Sequence, residues 1–179
     1  MKQISQIIKE VIPVIIGILI ALLINNWNED RKEKKYLNQI FNSINKELEE
    51  SRLDLIKSIP KQEVLLDSLK RYLNDETVTL FEIINKGGGI HGTTVKNSSW
   101  KAIANSKIEL VDFQKVSELS EIDESKILLE LKRDKLLDFT IANLKNTNQD
   151  KKEIFMLLSA EIISSEKNLH SEIEEFLKK

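Results

Sequence analysis

The sequence predicts an all-α protein in which an N-terminal transmembrane helix continues into an antiparallel helical bundle. Residues 11–24 contain no polar or charged side chain, which is typical of a helix that lies in lipid. After residue 30, apolar residues recur at intervals of three and four, as they do in amphipathic helices. Only five glycines and two prolines occur among the 179 residues, so signals for turns and strands are few.

The composition excludes several functional classes. The 27 basic and 29 acidic residues are interspersed and give a net charge of −2, without the clustered Lys and Arg that nucleic-acid binding requires. We therefore expect no nucleic-acid partner. The absence of cysteine excludes disulfides, iron–sulfur clusters and thiol catalysis, and the only histidines, His91 and His170, do not indicate a metal site. We expect no cofactor.

The apolar run alone is short for a membrane span. Residues 11–24 would form a helix of about 21 Å, against a hydrocarbon core of about 30 Å. Apolar residues upstream and Trp27 downstream extend the span to residues 7–27, or about 31 Å.

Two alternatives to a membrane anchor are a cleaved signal peptide and a buried core helix. Residues 25–30, NNWNED, make a poor cleavage site because they lack small residues, and the run has no polar face, so we favour an uncleaved anchor. The residues assigned to this anchor are Val11, Ile15, Ile16, Ile18, Leu19, Ile20, Leu22, Leu23, Ile24 and Trp27.

Small residues on the anchor predict a helix–helix interface. Gly17, Ala21 and Asn25 are spaced by four and lie on one face of a helix, where small residues allow close approach and Asn can hydrogen-bond across the contact. The alternative is that glycine and alanine are simply common in membrane helices.

Charges beside the run give a weak indication of orientation. Lys2, Lys9 and the terminal amine precede it, and Arg31, Lys32, Lys34 and Lys35 follow it. By the positive-inside rule, a margin of about one charge puts the large domain in the cytoplasm.

Two stretches resemble a known family. Residues 17–29, GILIALLINNWNE, resemble the "GILIAL-x-INNWNE" anchor of small single-pass proteins of unknown function from Bacteroidetes-type bacteria. Residues 98–108, SSWKAIANSKI, are more loosely similar to a segment of the same family, in which Thr or Ser and an aromatic residue precede a short helix. The resemblance implies a single-pass protein of the bacterial inner membrane and no particular reaction.

The chain departs from the family pattern at three places. Relatives often carry Gln at the position of Leu23 and Gly-Glu at the position of Lys9-Glu10, and they have a longer basic tail before the run. That tail implies a periplasmic main domain for the family, which is opposite to the orientation that the charge count indicates.

Four segments follow from these patterns. Residues 1–28 are the tail and anchor, and residues 29–85 are the first helical part of the bundle. In this first part, a seam that includes Ile44, Leu48 and Leu55 predicts a helix that continues from the anchor to Ile59, where Pro60 should break it. A second helix is expected over residues 61–74, and a short one over residues 78–85.

Residues 86–98, KGGGIHGTTVKNS, are predicted to be a Gly-rich flexible loop, because the stretch lacks the Gly-Lys-Ser/Thr ending of a phosphate-binding loop. Residues 99–179 are the second helical part of the bundle. Ser99 should cap a short helix there, Trp100 should anchor the core, and helices are expected over residues 111–146 and 151–177. On the first of these two helices, Phe113, Leu128 and Leu131 belong to the expected apolar stripe. On the second, the expected core residues are Phe155, Leu158, Ile162, Leu169, Ile173 and Phe176.

No catalytic motif is present in the sequence. Glu166 and His170 have the wrong spacing for a di-iron bundle, which needs Glu-x-x-His on facing helices. We therefore predict a non-enzymatic protein-interaction or structural module, whose partners are the lipid bilayer and another protein or a second copy of itself. The alternative is a membrane-linked sensor with a ligand or partner site near residues 86–98.

Overall fold

The computed structural model of the chain describes the backbone of residues 2–178 and the side chains of residues 12–178. Within that range it contains five α-helices, one 3₁₀ turn at Ile108–Leu110 and no strand, so the all-α prediction is confirmed. The helices are α1 (Lys2–Arg71), α2 (Leu80–Lys86), α3 (Ser98–Ala104), α4 (Phe113–Asn143) and α5 (Gln149–Leu177). The chain divides into two compact units, residues 1–42 and residues 43–179.

The first unit carries the apolar run on α1. All side chains from Ile12 to Ile24 are exposed, and so is Trp27 at 65%. Among the described residues, one helix is long and apolar enough to cross a membrane, and its apolar window is not buried inside the protein. The side chain of Val11, which the sequence assigns to the anchor, lies outside the described residues.

Pro60 does not break α1, and the predicted helix over residues 61–74 is the last part of the same helix. A proline removes the hydrogen bond to the carbonyl four residues earlier, which here belongs to Ile56. Both Pro60 and Ile56 are exposed, so water can bind the freed carbonyl. The prediction of a break was wrong because the lost hydrogen bond lies on the solvent-exposed side of the helix. Leu55 and Leu65 stay buried on the opposite side.

The second unit is a bundle of four elements that alternate in direction. The α1 and α5 helices are antiparallel, since Arg52 lies 3.7 Å from Glu174 and Lys167 lies 2.7 Å from Glu63. The α4 and α5 helices are also antiparallel: Lys132 Nζ donates to Ser165 Oγ, and Ser125 Oγ donates to Glu172 Oε1 farther along. The α1 and α4 helices therefore run in the same direction, and the chain must return between them.

The returning element is a crossover, residues 80–104, made of α2, an extended segment and α3. Thr79 caps α2 with a capping box, in which its side chain accepts from Glu82 N while Glu82 accepts from Thr79 N. The three glycines then end α2 in a Schellman turn: Gly89 N donates to Ile84 O, and Gly88 N donates to Asn85 O. Gly88 and Gly89 have φ of 88° and 94°, a region that favours glycine.

Residues 91–97 lie outside the helices, within the stretch that the sequence predicts to be a loop, and their backbone is extended and packed. They alternate like a strand, with Thr93, Val95 and Asn97 buried and Thr94 and Lys96 exposed. Their backbone is bound by side chains of α1, because Thr94 N donates to Asp54 Oδ2 and Lys96 N donates to Ser51 Oγ. The segment is thus a packed part of the bundle.

The α3 helix begins two residues earlier than expected, at Ser98 instead of Trp100. Ser99 does not cap it; Ser99 instead donates from its backbone N and its hydroxyl to the two carboxylate oxygens of Glu47, at 3.0 Å each. A carboxylate at a helix N-terminus stabilises that end through the helix dipole. Trp100, at 4% exposure, packs in the core as predicted.

The apolar stripe predicted on α4 is only partly correct. Phe113 is 85% exposed and Leu131 is 60% exposed, and Ile127 and Leu128 are exposed as well. The buried apolar residues of α4 are instead Leu119, Ile122, Leu129 and Leu136. On α5, by contrast, most of the predicted core residues are buried, namely Phe155, Ile162, Leu169, Ile173 and Phe176.

Candidate functional site

The inner faces of the bundle helices carry polar residues at every seventh position. On α4 these are Lys126, Arg133 and Thr140, and the buried Ile122, Leu129 and Leu136 each lie four residues before one of them. On α5 the corresponding positions are Lys152, Ser159 and Glu166, all buried. A heptad repeat keeps such positions on one side of a helix, so the bundle encloses a polar strip beside its apolar core.

Four side chains from four elements meet in this strip and form the polar cluster: Gln62, Thr93, Arg133 and Glu166. Glu166 is 0% exposed, and its Oε1 lies 2.6 Å from Arg133, whose side chain is 20% exposed. The same oxygen accepts from Thr93 Oγ1 at 3.0 Å and from Gln62 Nε2 at 3.1 Å. A guanidinium and two neutral donors therefore compensate this one oxygen of the buried carboxylate for the loss of water.

The polar cluster also holds the crossover in place. Arg133 donates to the carbonyl of Thr93 at 2.6 Å and to its hydroxyl, and Gln62 Nε2 donates to His91 O at 2.9 Å. An extended segment has no internal hydrogen bonds, so its buried backbone groups need partners from elsewhere. Side chains of α1 and α4 supply these partners, and this explains why polar residues occupy core positions.

Several atoms of the cluster have no partner among the described residues. They are Gln62 Oε1, Arg133 Nε and Glu166 Oε2, and Ser159 Oγ also lacks a hydrogen-bond partner. All four atoms are sealed from solvent. Burying a polar group without a hydrogen bond costs about 1–3 kcal/mol, so a hydrogen-bonding partner for any of these atoms would be stabilising.

A pocket of about 240 Å³ lies against the cluster, between α1, the crossover, α4 and α5. Its apolar lining consists of Leu65, Ile90, Leu136, Leu137 and Ile162. The remaining lining residues are Gln62, His91, Gly92, Arg133 and Ser159. Ile90, Gly92 and Leu137 are exposed, so the pocket reaches solvent on that side.

The pocket follows from the shape of the crossover. A helix with its side chains is about 10–12 Å across, whereas an extended segment occupies only about 5 Å in the direction of a neighbouring strand. Residues 90–92 of the crossover therefore fill less of the groove between α1 and α4 than a fourth helix would. Gly92 adds no side chain at this point, and an added Cβ there would meet nothing within 4 Å.

The other polar core residues have structural roles. Lys152, which is 0% exposed, donates to Tyr72 O at 3.1 Å and to Asp75 O at 2.6 Å, and so satisfies carbonyls just beyond the end of α1. Asn97 donates to Asp123 and accepts from Lys126 at 2.9 Å, which ties the end of the extended segment to α4.

A second, acidic depression lies between α4 and α5, lined by Glu118, Glu121, Glu172 and Glu175 among others. Burial raises the pKa of Glu172, the hydrogen bond from Ser125 opposes this, and the charges of Glu121 and Glu175 raise the pKa further. Among the residues whose side chains are described, no group of three His, Asp or Glu side chains is arranged to hold a metal ion. His170 lies one turn after Glu166, but the carboxylate of Glu166 is bound by the polar cluster.

The residues that the sequence assigns to the anchor lie together on α1. Gly17, Ala21 and Asn25 are exposed on this helix, and an added Cβ at Gly17 would meet nothing within 4 Å. The helix–helix interface proposed for these three residues stays a prediction.

Comparison of the chain with protein families, with curated proteins and with solved structures gave no match. The family resemblance of residues 17–29 and 98–108 therefore stays a prediction.

Sequence reasoning did not find the polar cluster or the pocket. It placed a possible ligand site near residues 86–98, and the structure brings Ile90, His91 and Gly92 of that stretch into the pocket lining. The signal that was missed is the seven-residue spacing of polar residues on α4 and α5.

Proposed function

We propose that this chain is a membrane-anchored, non-enzymatic protein that binds a small ligand in the pocket between α1, the crossover, α4 and α5. The observation that carries the proposal is a mostly apolar pocket whose lining includes three side chains with unpartnered polar atoms: Gln62, Arg133 and Ser159. Small-molecule sites usually combine an apolar lining with a few polar groups of this kind. At about 240 Å³, the pocket suits a ligand below drug size.

The proposal does not include catalysis. No Asp or Glu is among the described residues that line the pocket, and the carboxylate of Glu166 beside it is bound by Arg133, Thr93 and Gln62 through one oxygen. A general base must reach the proton that it removes, and Glu166 is held away from the pocket surface.

Ligand binding is tested by thermal unfolding of the full chain in detergent, in the presence of a library of small fragments. Wild type is compared with Ser159→Leu, in which a larger apolar side chain occupies part of the pocket. The control is Ser164→Leu, the same change at an exposed position of α5. We expect at least one fragment to raise the Tm of wild type and Ser164→Leu but not that of Ser159→Leu. If no fragment separates the two variants, the pocket is not a ligand site.

The membrane anchor is supported by the exposure of the apolar run. Ten large apolar side chains between Ile12 and Ile24 are about half exposed or more. If water covered them, the lost burial would amount to roughly 1 kcal/mol or more for each side chain, and on the order of 10 kcal/mol in total. This is comparable to the whole stability of a typical domain, so lipid is a much better surrounding for the run than water.

The anchor is tested by replacing Leu19, near the middle of the run, with arginine. We expect Leu19→Arg to move the full chain from the membrane fraction towards the soluble fraction or to lower its amount, because a central charge costs about 2.5–3.5 kcal/mol on insertion scales. Leu53→Arg is the matched control, since Leu53 lies on the same helix and is 42% exposed. Equal fractionation of the two variants would contradict the anchor.

Because residues 17–29 resemble the Bacteroidetes-type anchor, the proposal takes the membrane to be the bacterial inner membrane, with the bundle on the periplasmic side. The local charge count favours the opposite side by about one charge. Reporter fusions at the C-terminus, one active only in the periplasm and one only in the cytoplasm, decide between these orientations.

A second candidate function is binding to another protein or to a second copy of the chain. It is favoured by exposed apolar side chains on α4, where Leu128 and Leu131 are 58% and 60% exposed. A photo-crosslinking residue at position 131 should then capture a partner in native membranes. The same residue at the exposed Asp138, farther along α4, is the control, and equal capture at the two positions would argue against a specific contact.

A further inference from the structure

We propose that the ligand of the pocket is a small uncharged molecule with an apolar body and a head group that both donates and accepts hydrogen bonds, such as a primary amide or a lactam. This inference rests on the proposed function and narrows it to a chemical class. The charge of the cluster, its free hydrogen-bonding atoms and the size of the pocket support it.

The charges beside the pocket already cancel. Arg133 carries the positive charge, and Glu166, at 2.6 Å from it, carries the negative charge. A ligand carboxylate would have to share Arg133 with Glu166, and a ligand ammonium would lie beside Arg133. Either ligand would lose water without gaining a counter-ion of its own, and this loss opposes binding of a charged head group.

The free atoms define both a donor and an acceptor on the protein. Gln62 Nε2 donates to two acceptors, His91 O and Glu166 Oε1, which fixes the orientation of the amide and leaves Oε1 as the free acceptor. Arg133 Nε–H is a free donor, and Ser159 Oγ can donate or accept. A primary amide or a lactam presents an N–H to Gln62 Oε1 and a carbonyl oxygen to Arg133 or Ser159.

Neighbouring atoms cover these three polar atoms, so recognition includes a turn of the side chains towards the ligand. Ser159 needs only rotation about its single side-chain bond. Glu166 Oε2 is also free, but Glu166 is not part of the pocket lining, so this oxygen does not select a cation.

The apolar lining of the pocket determines the size of the apolar body of the ligand. Leu65, Leu136 and Ile162 are buried around the pocket, and Ile90 and Leu137 lie at its exposed side. A cavity of about 150 Å³ accommodates benzene, so a pocket of about 240 Å³ has room for roughly ten non-hydrogen atoms. A ring or a short branched chain with one amide group has this size.

The test uses four ligands of similar shape: benzamide, benzoate, benzylamine and toluene. Their binding to the full chain in detergent at neutral pH is measured by ligand-detected NMR, with Ser159→Leu and Ser164→Leu as the blocked and control proteins. Subtraction of the signal from Ser159→Leu removes partition into the detergent. We expect benzamide to bind at least tenfold more tightly than the other three, and to bind Ser164→Leu as it binds wild type.

A milder variant keeps the test valid if Ser159→Leu does not fold. Ser159→Ala removes only the hydroxyl, and we expect it to weaken benzamide about fivefold, the effect of one hydrogen bond, without changing the binding of toluene.

The outcomes separate the two proposals. The chemical class is wrong if benzoate or benzylamine binds more tightly than benzamide, or if toluene binds as tightly as benzamide. The pocket remains a ligand site in these cases, provided that Ser159→Leu loses the binding. If none of the four ligands distinguishes wild type from Ser159→Leu and Ser159→Ala, the inference is overturned. If the fragment library also fails to separate wild type from Ser159→Leu, the proposed function is overturned as well.

Discussion

The ion pair between Arg133 and Glu166 gives the sharpest prediction for the stability of the bundle. Replacing Arg133 with Met leaves a carboxylate that is 0% exposed, with only Gln62 and Thr93 as neutral donors. Removal of one partner of a buried pair costs about 3–5 kcal/mol, and we expect a loss of about 4 kcal/mol here.

The reverse change should cost less. Glu166→Gln leaves a guanidinium that is 20% exposed and still donates to the carbonyl and the hydroxyl of Thr93. Water and these acceptors offset part of the lost charge, so we expect about 2 kcal/mol. The double variant Arg133→Met/Glu166→Gln carries no charge in the polar cluster, and it should lose only about 1–2 kcal/mol, less than Arg133→Met alone.

The assay is urea unfolding of the full chain in detergent, in a Trp27→Phe background. Trp27 is 65% exposed on the apolar run and Trp100 is 4% exposed in the bundle, so the background leaves the buried indole as the only tryptophan reporter. Additive losses in the double variant would refute the coupling of the pair. A larger loss for Glu166→Gln than for Arg133→Met would refute the argument that the fully buried carboxylate suffers more from losing its partner than the partly exposed guanidinium does.

Three further predictions concern the crossover and the acidic depression. Gly88→Ala should lower the free energy of unfolding by about 1 kcal/mol, because the φ of Gly88 is 88°. Gly92→Ala is the control and should change the free energy little, because an added Cβ there would meet nothing within 4 Å. Equal effects of the two changes in urea unfolding would contradict the Schellman turn. Thr79→Ala should cost about 1 kcal/mol through loss of the capping box, and Thr79→Ser, which keeps the hydroxyl, should cost less than half of that in the same assay. Glu172→Gln should stabilise the protein at pH 7 by less than about 1 kcal/mol, because this residue is partly exposed and solvent screens its interactions. The pKa of Glu172 in the folded state is raised above the ordinary value of 4.5, so the folded state binds the proton more tightly than the unfolded state does. The charged form therefore destabilises the fold at pH values above the folded pKa. This destabilisation is lost as the pH falls through the folded pKa. The advantage of Gln over Glu should therefore shrink as the pH approaches 4, and an advantage that grows on acidification would mean that the sign is wrong.

The sequence predicts the helices of the bundle well because their apolar residues follow helical spacing. On α5, five of the predicted core residues are buried, from Phe155 to Phe176, since this helix packs one clear apolar face inwards. On α4 the prediction followed Leu128 and Leu131, which are apolar but exposed, and passed over Lys126 and Arg133, which face inwards. Periodicity assigns polar residues to the outside, and here the crossover requires them inside.

The site was harder to predict than the fold. Thr93, Val95 and Asn97 are buried at alternate positions, but only one of them is apolar, so a pattern of hydrophobicity does not reveal an extended core segment. The partners of this segment lie far away in the sequence: the bond between Thr93 and Glu166 spans 73 residues. Only the three-dimensional arrangement shows that Glu166 on α5 and Gln62 on α1 serve the same short stretch.

The placement of Glu166 has a consequence for biosynthesis. The extended segment leaves the ribosome long before the carboxylate that binds Thr93, so its side of the bundle cannot close while α5 is still being translated. Until then the inner polar groups of α1 and α4 stay in contact with water, and a nascent chain should be sensitive to proteases near residues 91–97. A chain that stops before residue 166 should keep that sensitivity permanently, whereas one extended past this residue should become resistant.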